Sequence, residues 1–372
     1  GRLSGRTGGF NVGMLHIRTG TDGPGGVLDD ALTGEAFSVV RVARELPNRS
    51  RLGAFFADRT GLGTDRASNR TYAVDGQVGI GQGLNVSSFL ARTETPELEG
   101  RDHAFHLSTS YASRAWQGFL TYRELGADFN PGIGFVGRTN SRTYSGFGMV
   151  YIRPERPAWL RELRPHVSYN TFRDLETGFE QSARLHVDSH VEFSNGAFFS
   201  PAFDWVREGL EQPFRIAPDV IVAPGTYEGW TAAWRFNTNR SAGLSFDGGL
   251  DVGSFLSGTR RGVHGTLTAR PGSSLLVSLR TDYNAVELAE GDFNATLVAG
   301  RVGYFFTPRI NLQSLIKYAD QLDTWSANVR FGWLGTAGTG LFIVYNDARG
   351  IDALSGPLNR SVIIKFSRQF DF

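Results

Sequence analysis

His186 and His190 stand four residues apart, a spacing that on a helix would set two imidazoles on one face where they can hold a metal ion. The residues around them predict a strand instead. Ser182 to Phe193 places Ala183, Leu185, Val187, Val191 and Phe193 on one side and Arg184, His186, Asp188, His190 and Glu192 on the other. On a strand the same spacing separates the two histidines by about 13 Å, so they are expected to line a polar wall, and no metal ligands are assigned. His103 and His106 fall on opposite faces and carry no signal. The run Asp128-Phe129-Asn130-Pro131-Gly132-Ile133-Gly134-Phe135-Val136 has three open readings. Oxygens of Asp128 and Asn130 suit a hard cation; the segment suits an Asn-Pro turn with glycine-permitted dihedrals; or it folds into a lumen, with Asp128, Phe129, Asn130 and Pro131 narrowing it. The chain has no cysteine, hence no thiolate site and no disulfide. No acid, base and nucleophile converge on a shared motif, so no catalytic residue, no enzymatic activity and no cofactor are expected.

The polar wall repeats along the chain. Trp325, Ala327, Val329, Phe331 and Trp333 alternate with Ser326, Asn328, Arg330 and Gly332, and Tyr72–Ile80, Trp230–Asn237, Ala242–Val252, Val263–Arg270, Leu275–Tyr283 and Ile310–Tyr318 behave alike. An arginine on a lipid-facing wall near the bilayer midplane costs about 2–4 kcal/mol. The wall that carries Arg184, Asp188 and Glu192 must therefore face water, and so must those carrying Arg235, Arg280, Lys317 and Arg330. A soluble sheet protein shares this alternation with its apolar wall turned inward. Strand length and loop asymmetry separate the two cases.

The periodic segments run about ten to thirteen residues, against about five to six for soluble strands and nine to eleven for a tilted membrane strand. Short connections at Pro47–Arg49, Gly81–Gly83, Ser113, Ser194–Gly196, Thr238–Arg240, Pro271–Gly272, Thr307–Arg309 and Gly335–Gly338 alternate with longer ones. The longer ones are Thr19–Glu35, Arg59–Ser68, Thr93–Arg101, Glu124–Thr139, Gly209–Thr226, Asn284–Asp292 and Ala348–Leu358. Short turns on one side and long loops on the other predict an all-β, transmembrane antiparallel outer-membrane β-barrel of about 20 strands, 18 to 22, with short periplasmic turns, long extracellular loops and periplasmic termini. The first strand is expected near Phe10 and the last near Phe372. Phe37–Leu46 has no clean face, and Pro154–Arg164 is long for a periplasmic turn.

Composition sets outer limits. No run of eighteen apolar residues exists, so no helical span is expected, while 47 glycines and 12% aromatics suit tight turns and interfacial girdles. A net charge of +1 without a basic cluster excludes nucleic acid as a partner. No linker divides residues 1–372, so one barrel domain is expected. The chain opens at Gly1 without a signal peptide, which leads us to expect a leader and an upstream domain outside it.

The end of the chain, Ser361 to Phe372, sets Val362, Ile364, Phe366, Phe370 and Phe372 on one side, with Arg368 interrupting the apolar row. It resembles the terminal strand by which outer-membrane barrels are recognised for assembly, through Phe366, Phe370 and Phe372. Together with FSVVRV at Phe37–Val42, NRTYAVDG at Asn69–Gly76, the Asp128–Val136 run and FIVYND at Phe342–Asp347, the chain resembles the barrel region of a poorly characterised bacterial outer-membrane family. Longer members of that family carry a family-9 carbohydrate-binding-like domain ahead of the barrel, and nothing in this chain matches that domain. The resemblance implies architecture and location but no catalytic residues. The expected function is a pore or transport channel for small polar solutes such as oligosaccharides or peptides, with the alternative of a plugged barrel serving as a membrane anchor or assembly subunit. Expected partners are outer-membrane lipid and lipopolysaccharide, the barrel-assembly machinery, and a separate plug, surface or periplasmic protein. The Gly209–Thr226 loop, with its prolines and apolar residues, is the expected docking surface.

Overall fold

The structure, a computed structural model, describes residues 1–19, 34–61, 68–335, 338–350 and 357–368. Phe370 and Phe372 lie outside the described residues, as do all or part of the connections Thr19–Glu35, Arg59–Ser68, Gly335–Gly338 and Ala348–Leu358. Among the described residues there are 23 strands and one short 3-10 turn, and no helix long and apolar enough to cross a membrane. Contacts divide the chain into two compact units, Gly1–Val150 with His166–Leu185 and Tyr151–Pro165 with His186–Phe372.

In the first unit each strand is antiparallel to the next: β1 Arg2–Thr7, β2 Phe10–Arg18, β3 Glu35–Leu46, β4 Ser50–Gly61, β5 Ser68–Ile80, β6 Leu84–Glu94, β7 His103–Ala112, β8 Trp116–Leu125 and β9 Ser141–Val150. β9 pairs in turn with the His166–Asp174 part of β10, whose full span is Leu160–Asp174. β11, Glu180–Phe193, follows. The second unit continues with β12 Phe198–Leu210, a separate two-stranded sheet of β13 Phe214–Ala217 and β14 Val220–Val222, then β15 Gly225–Asn237 paired to β12. From there β16 Leu244–Phe255, β17 Gly258–Ala269, β18 Leu275–Leu288, β19 Gly291–Thr307, β20 Ile310–Ala319, β21 Thr324–Leu334, β22 Gly340–Gly350 and β23 Pro357–Ser367 each pair antiparallel with the strand before.

Three expectations change, and two weak places are resolved. The first strand is β1, ahead of Phe10; Gly8 and Gly9 at φ 55° and 80° make the two-residue turn that returns it onto β2, a backbone that favours glycine at both positions. Asn284–Asp292 is not a loop: β18 runs on to Leu288, paired with Gly291. Its extension is held by packing, because Val286 and Leu288 are buried against Ala217, Val220 and Val222 of the β13–β14 hairpin. That hairpin is itself regular structure within the expected Gly209–Thr226 loop. Phe37–Leu46, which has no clean face, is strand β3 throughout, and Pro154–Arg164 is shortened because Ile152 bridges Leu163 and β10 begins at Leu160.

Both units sort their side chains by face. Val74, Val78, Ile80, Leu90 and Leu120 in the first unit, and Leu250, Val263, Leu267, Leu279 and Ile316 in the second, are all exposed. On the opposite face Thr71, Ser200, Asp188 and Asp204 are buried. Ten such apolar side chains facing water would forfeit about 15–30 kcal/mol, more than the ~5–15 kcal/mol net stability of a domain. The apolar face is therefore a surface for hydrocarbon and the polar face the enclosed one, the reverse of a soluble sheet.

Candidate functional site

The polar face of the second unit carries charge pairs both across strands and along them. Arg235 and Asp251 meet at 2.7 Å between β15 and β16, and His264 on β17 brings Nδ1 to 3.8 Å from the same carboxylate. Arg280 donates to Asp282 at 2.7 Å through Nε and 2.9 Å through Nη2, both residues standing on one face of β18. Arg330 lies over the Phe342 ring at 4.7 Å, and Lys317 lines a small recess with Asn328, Asn346 and Asp347. Within β11, Asp188 stands between His186 and His190, whose Nε2 atoms lie 3.8 and 3.6 Å from its Oδ2. Asp204 Oδ1 accepts from His186 Nδ1 at 2.6 Å, and the Ser200 hydroxyl donates to Asp188. Each histidine contacts the carboxylate between them, and all three stand on the polar wall that the strand pattern predicts. Arg184 occupies the same face of β11 and is exposed.

The Asp128–Val136 segment behaves differently. Phe129, 7% exposed, packs into a cluster with Ala91 of β6 and Ala104 of β7, against Ala73 and Phe89. Ala73, Ala91 and Ala104 share parity with the buried polar side of their strands, so Phe129 covers the polar face. Small side chains leave the hollow that its ring fills. Asn69 of β5, buried, pins the backbone: its amide donates to Asn130 O at 2.6 Å and Thr95 Oγ1 at 2.6 Å, and its oxygen accepts from Gly132 N at 2.7 Å. Thr93 Oγ1 accepts from Asn130 N at 3.0 Å, and Asp128 Oδ2 accepts from Arg101 N at 3.1 Å. Gly132 is required by close approach, since a Cβ there would sit 2.6 Å from Asn69 Oδ1. Pro131 is half-buried at the bend, while Phe135 projects, 93% exposed. Asp128 thus accepts from the Arg101 backbone, and Asn130 is held through its own backbone N–H and C=O.

At the end of the chain, Phe366 is exposed on β23. Residues that the sequence does not single out are the partners: Asp251, Asp282, Asp204, Ser200 and Asn69. Their signal is cross-strand register, which appears only once the hairpins are paired.

An antiparallel all-β chain with long strands, an exposed apolar face and an enclosed polar face is a transmembrane β-barrel of the outer-membrane class. No protein-family model matches the sequence, and no curated protein sequence matches it. Solved structures agree on the fold. Two mutants of the ferric enterobactin receptor PfeA from Pseudomonas aeruginosa are each 8% identical, matching 95% of this chain and 71% of theirs with a TM-score of 0.57. The copper transporter OprC is 11% identical, with 98% and 72% covered and a TM-score of 0.51.

Proposed function

We propose that the chain is a bacterial outer-membrane pore or transport channel that passes small polar solutes, such as oligosaccharides or peptides, along its polar face, with both termini periplasmic. One observation carries the reading: the enclosed face is lined by paired charges of both signs while the opposite face is apolar and exposed. Mixed signs give weak ion selectivity. Arg184, His186, Asp188, His190, Arg235, Arg280, Lys317 and Arg330 set the field that a solute meets, and Asp128, Phe129, Asn130 and Pro131 form the constriction. Outer-membrane lipid and lipopolysaccharide surround the apolar face, and the barrel-assembly machinery inserts the chain through its terminal strand. The likeness to a family whose longer members carry a carbohydrate-binding-like domain belongs to this proposal.

A second reading, a blocked barrel serving as anchor or assembly subunit, is favoured by Phe214 and Ile221, which stand exposed on the β13–β14 hairpin where a surface or periplasmic partner could dock. Swelling of proteoliposomes in isotonic sugars separates the two. A pore gives swelling that slows from a monosaccharide to a tetrasaccharide. Inserted protein that gives no swelling with any sugar refutes the pore and leaves the anchor.

A further inference from the structure

We propose that Arg349 and Arg360, set around Asp347 on the lipid-facing side of β21–β23, bind a phosphate group of one lipopolysaccharide molecule. The proposal rests on the reading of the long-loop end as extracellular, and stands apart from whether the chain conducts solutes.

Register fixes the face. Tyr318 stands opposite Trp325, Trp325 opposite Arg349, Asp347 opposite Arg360 and Ile343 opposite Ile364. Directly opposed residues of an antiparallel pair share one side of the sheet, and along each strand every second residue returns to it. The charged trio therefore shares a wall with Ile316, Ile343, Val362 and Ile364, all exposed members of the apolar face. It sits near the loop end, since β22 ends at Gly350 and β23 starts at Pro357, where Tyr318, Trp325 and Tyr345 supply the aromatic side chains of a membrane interface. From Asp347 to Ile343 the wall turns from charged to apolar within about 13 Å. A lipid with its phosphate beside the arginines lays its acyl chains on that strip.

The acid organises the arginines. Asp347 is buried; its Oδ1 accepts from Arg349 Nε at 3.1 Å, and its Oδ2 accepts from Arg349 Nη2 and the Tyr345 hydroxyl, each at 2.8 Å. Arg360 Nη2 approaches the same Oδ2 at 3.5 Å, and the Arg349 guanidinium lies over the Trp325 ring at 5.4 Å. One carboxylate thus orients two guanidinium groups and neutralises only one of them. Both arginines stay exposed, and Arg349 Nη1 and Arg360 Nε and Nη1 have no partner among the described residues. Guanidinium forks match phosphate oxygens bidentately.

Two other arginines near the loop end of this face are balanced one to one, Arg207 by Glu228 at 3.3 Å and Arg261 by Glu287 at 3.7 Å. The excess cation at Arg349 and Arg360 is what selects an anion here. A phosphate monoester carries about −1.5 to −2 at neutral pH, against a single charge on a phospholipid diester. Lipid A, with its monoesters, is the stronger match for two guanidinium groups.

The test is native mass spectrometry of the purified full chain in detergent, titrated with lipid A, with its dephosphorylated form and with phosphatidylglycerol. The wild-type chain is expected to retain one lipid A, and to hold the other two lipids about 10-fold or more weakly. An Arg349→Gln, Arg360→Gln variant is expected to lose about 10-fold or more in lipid A affinity, and Arg261→Gln to keep it. Arg360→Gln alone, at a half-exposed side chain, is expected to give a smaller loss and serves should the double variant misfold. Resistance to protease checks folding, and insertion into liposomes reports separately on the barrel. Equal retention of lipid A and its dephosphorylated form, or unchanged affinity in folded variants that lack the arginines, overturns the phosphate site while the barrel stands. Phosphatidylglycerol held as tightly as lipid A overturns the assignment to lipopolysaccharide.

Discussion

Two patches of polar face, one in each unit, are finished in opposite ways. Over β5–β7 the first unit offers alanines, Ala73, Ala91 and Ala104, and a loop has settled on them through Phe129. Over β15–β18 the second unit offers Arg235, Asp251, His264, Arg280 and Asp282, and the charges are matched among themselves, across strands at Asp251 and along β18 at Asp282. Small residues on an enclosed face mark a seat for another part of the chain; paired charges mark a surface kept wet.

The contrast can be broken most strongly at Phe129. Phe129→Ala empties a buried ring site, a loss of about 3–5 kcal/mol, and should free the loop without unfolding the strands. Limited proteolysis should then cut between residues 126 and 139 in the variant only. Asn69→Ala comes next, since it removes the side chain that makes two of the loop's hydrogen bonds, to Asn130 O and from Gly132 N, worth about 1–3 kcal/mol together; faster amide exchange at Asn130 and Gly132 is the readout. In the second unit the same kind of deletion should matter little for stability. Asp251→Asn weakens a half-exposed ion pair worth about 0–1 kcal/mol, so the thermal midpoint should hold while ion selectivity moves towards anions.

A smaller effect is set by pH outside the strands, in the 3-10 turn Asp320–Leu322. Burial pushes the Asp320 carboxyl up, but donation from the Thr296 backbone N–H at 2.7 Å and its other hydrogen bonds outweighs it and holds the group below its usual 3.8. A depressed carboxyl contributes stability above its unfolded pKa and loses it as pH falls through the folded value. Hydrogen exchange at Thr296 should therefore be slow above about pH 4 and accelerate below it, and Asp320→Asn should flatten that dependence.

Strand existence was legible because one wall of each strand must tolerate lipid, which forces the period of two seen at Leu275–Tyr283 or Trp325–Trp333. Short turns were legible where glycine, proline or asparagine marks them. Strand length was not: the extension of β18 to Leu288 depends on the β13–β14 hairpin, a contact between segments more than sixty residues apart in sequence. β1 was hidden because Arg2–Thr7, RLSGRT, carries only one large apolar residue. Asn69 carried no local signal, since its partners Asn130 and Gly132 lie about sixty residues away.

Single-channel recording in a planar bilayer tests most directly whether the paired-charge face is a solute path. The wild-type chain and a Lys317→Glu, Arg330→Glu variant would be compared under a potassium chloride gradient. Stable conductance steps in both, with the reversal potential of the variant displaced towards cation selectivity, are the predicted result. Protein that inserts yet stays silent, or steps whose selectivity ignores both substitutions, would contradict a pore lined by these residues.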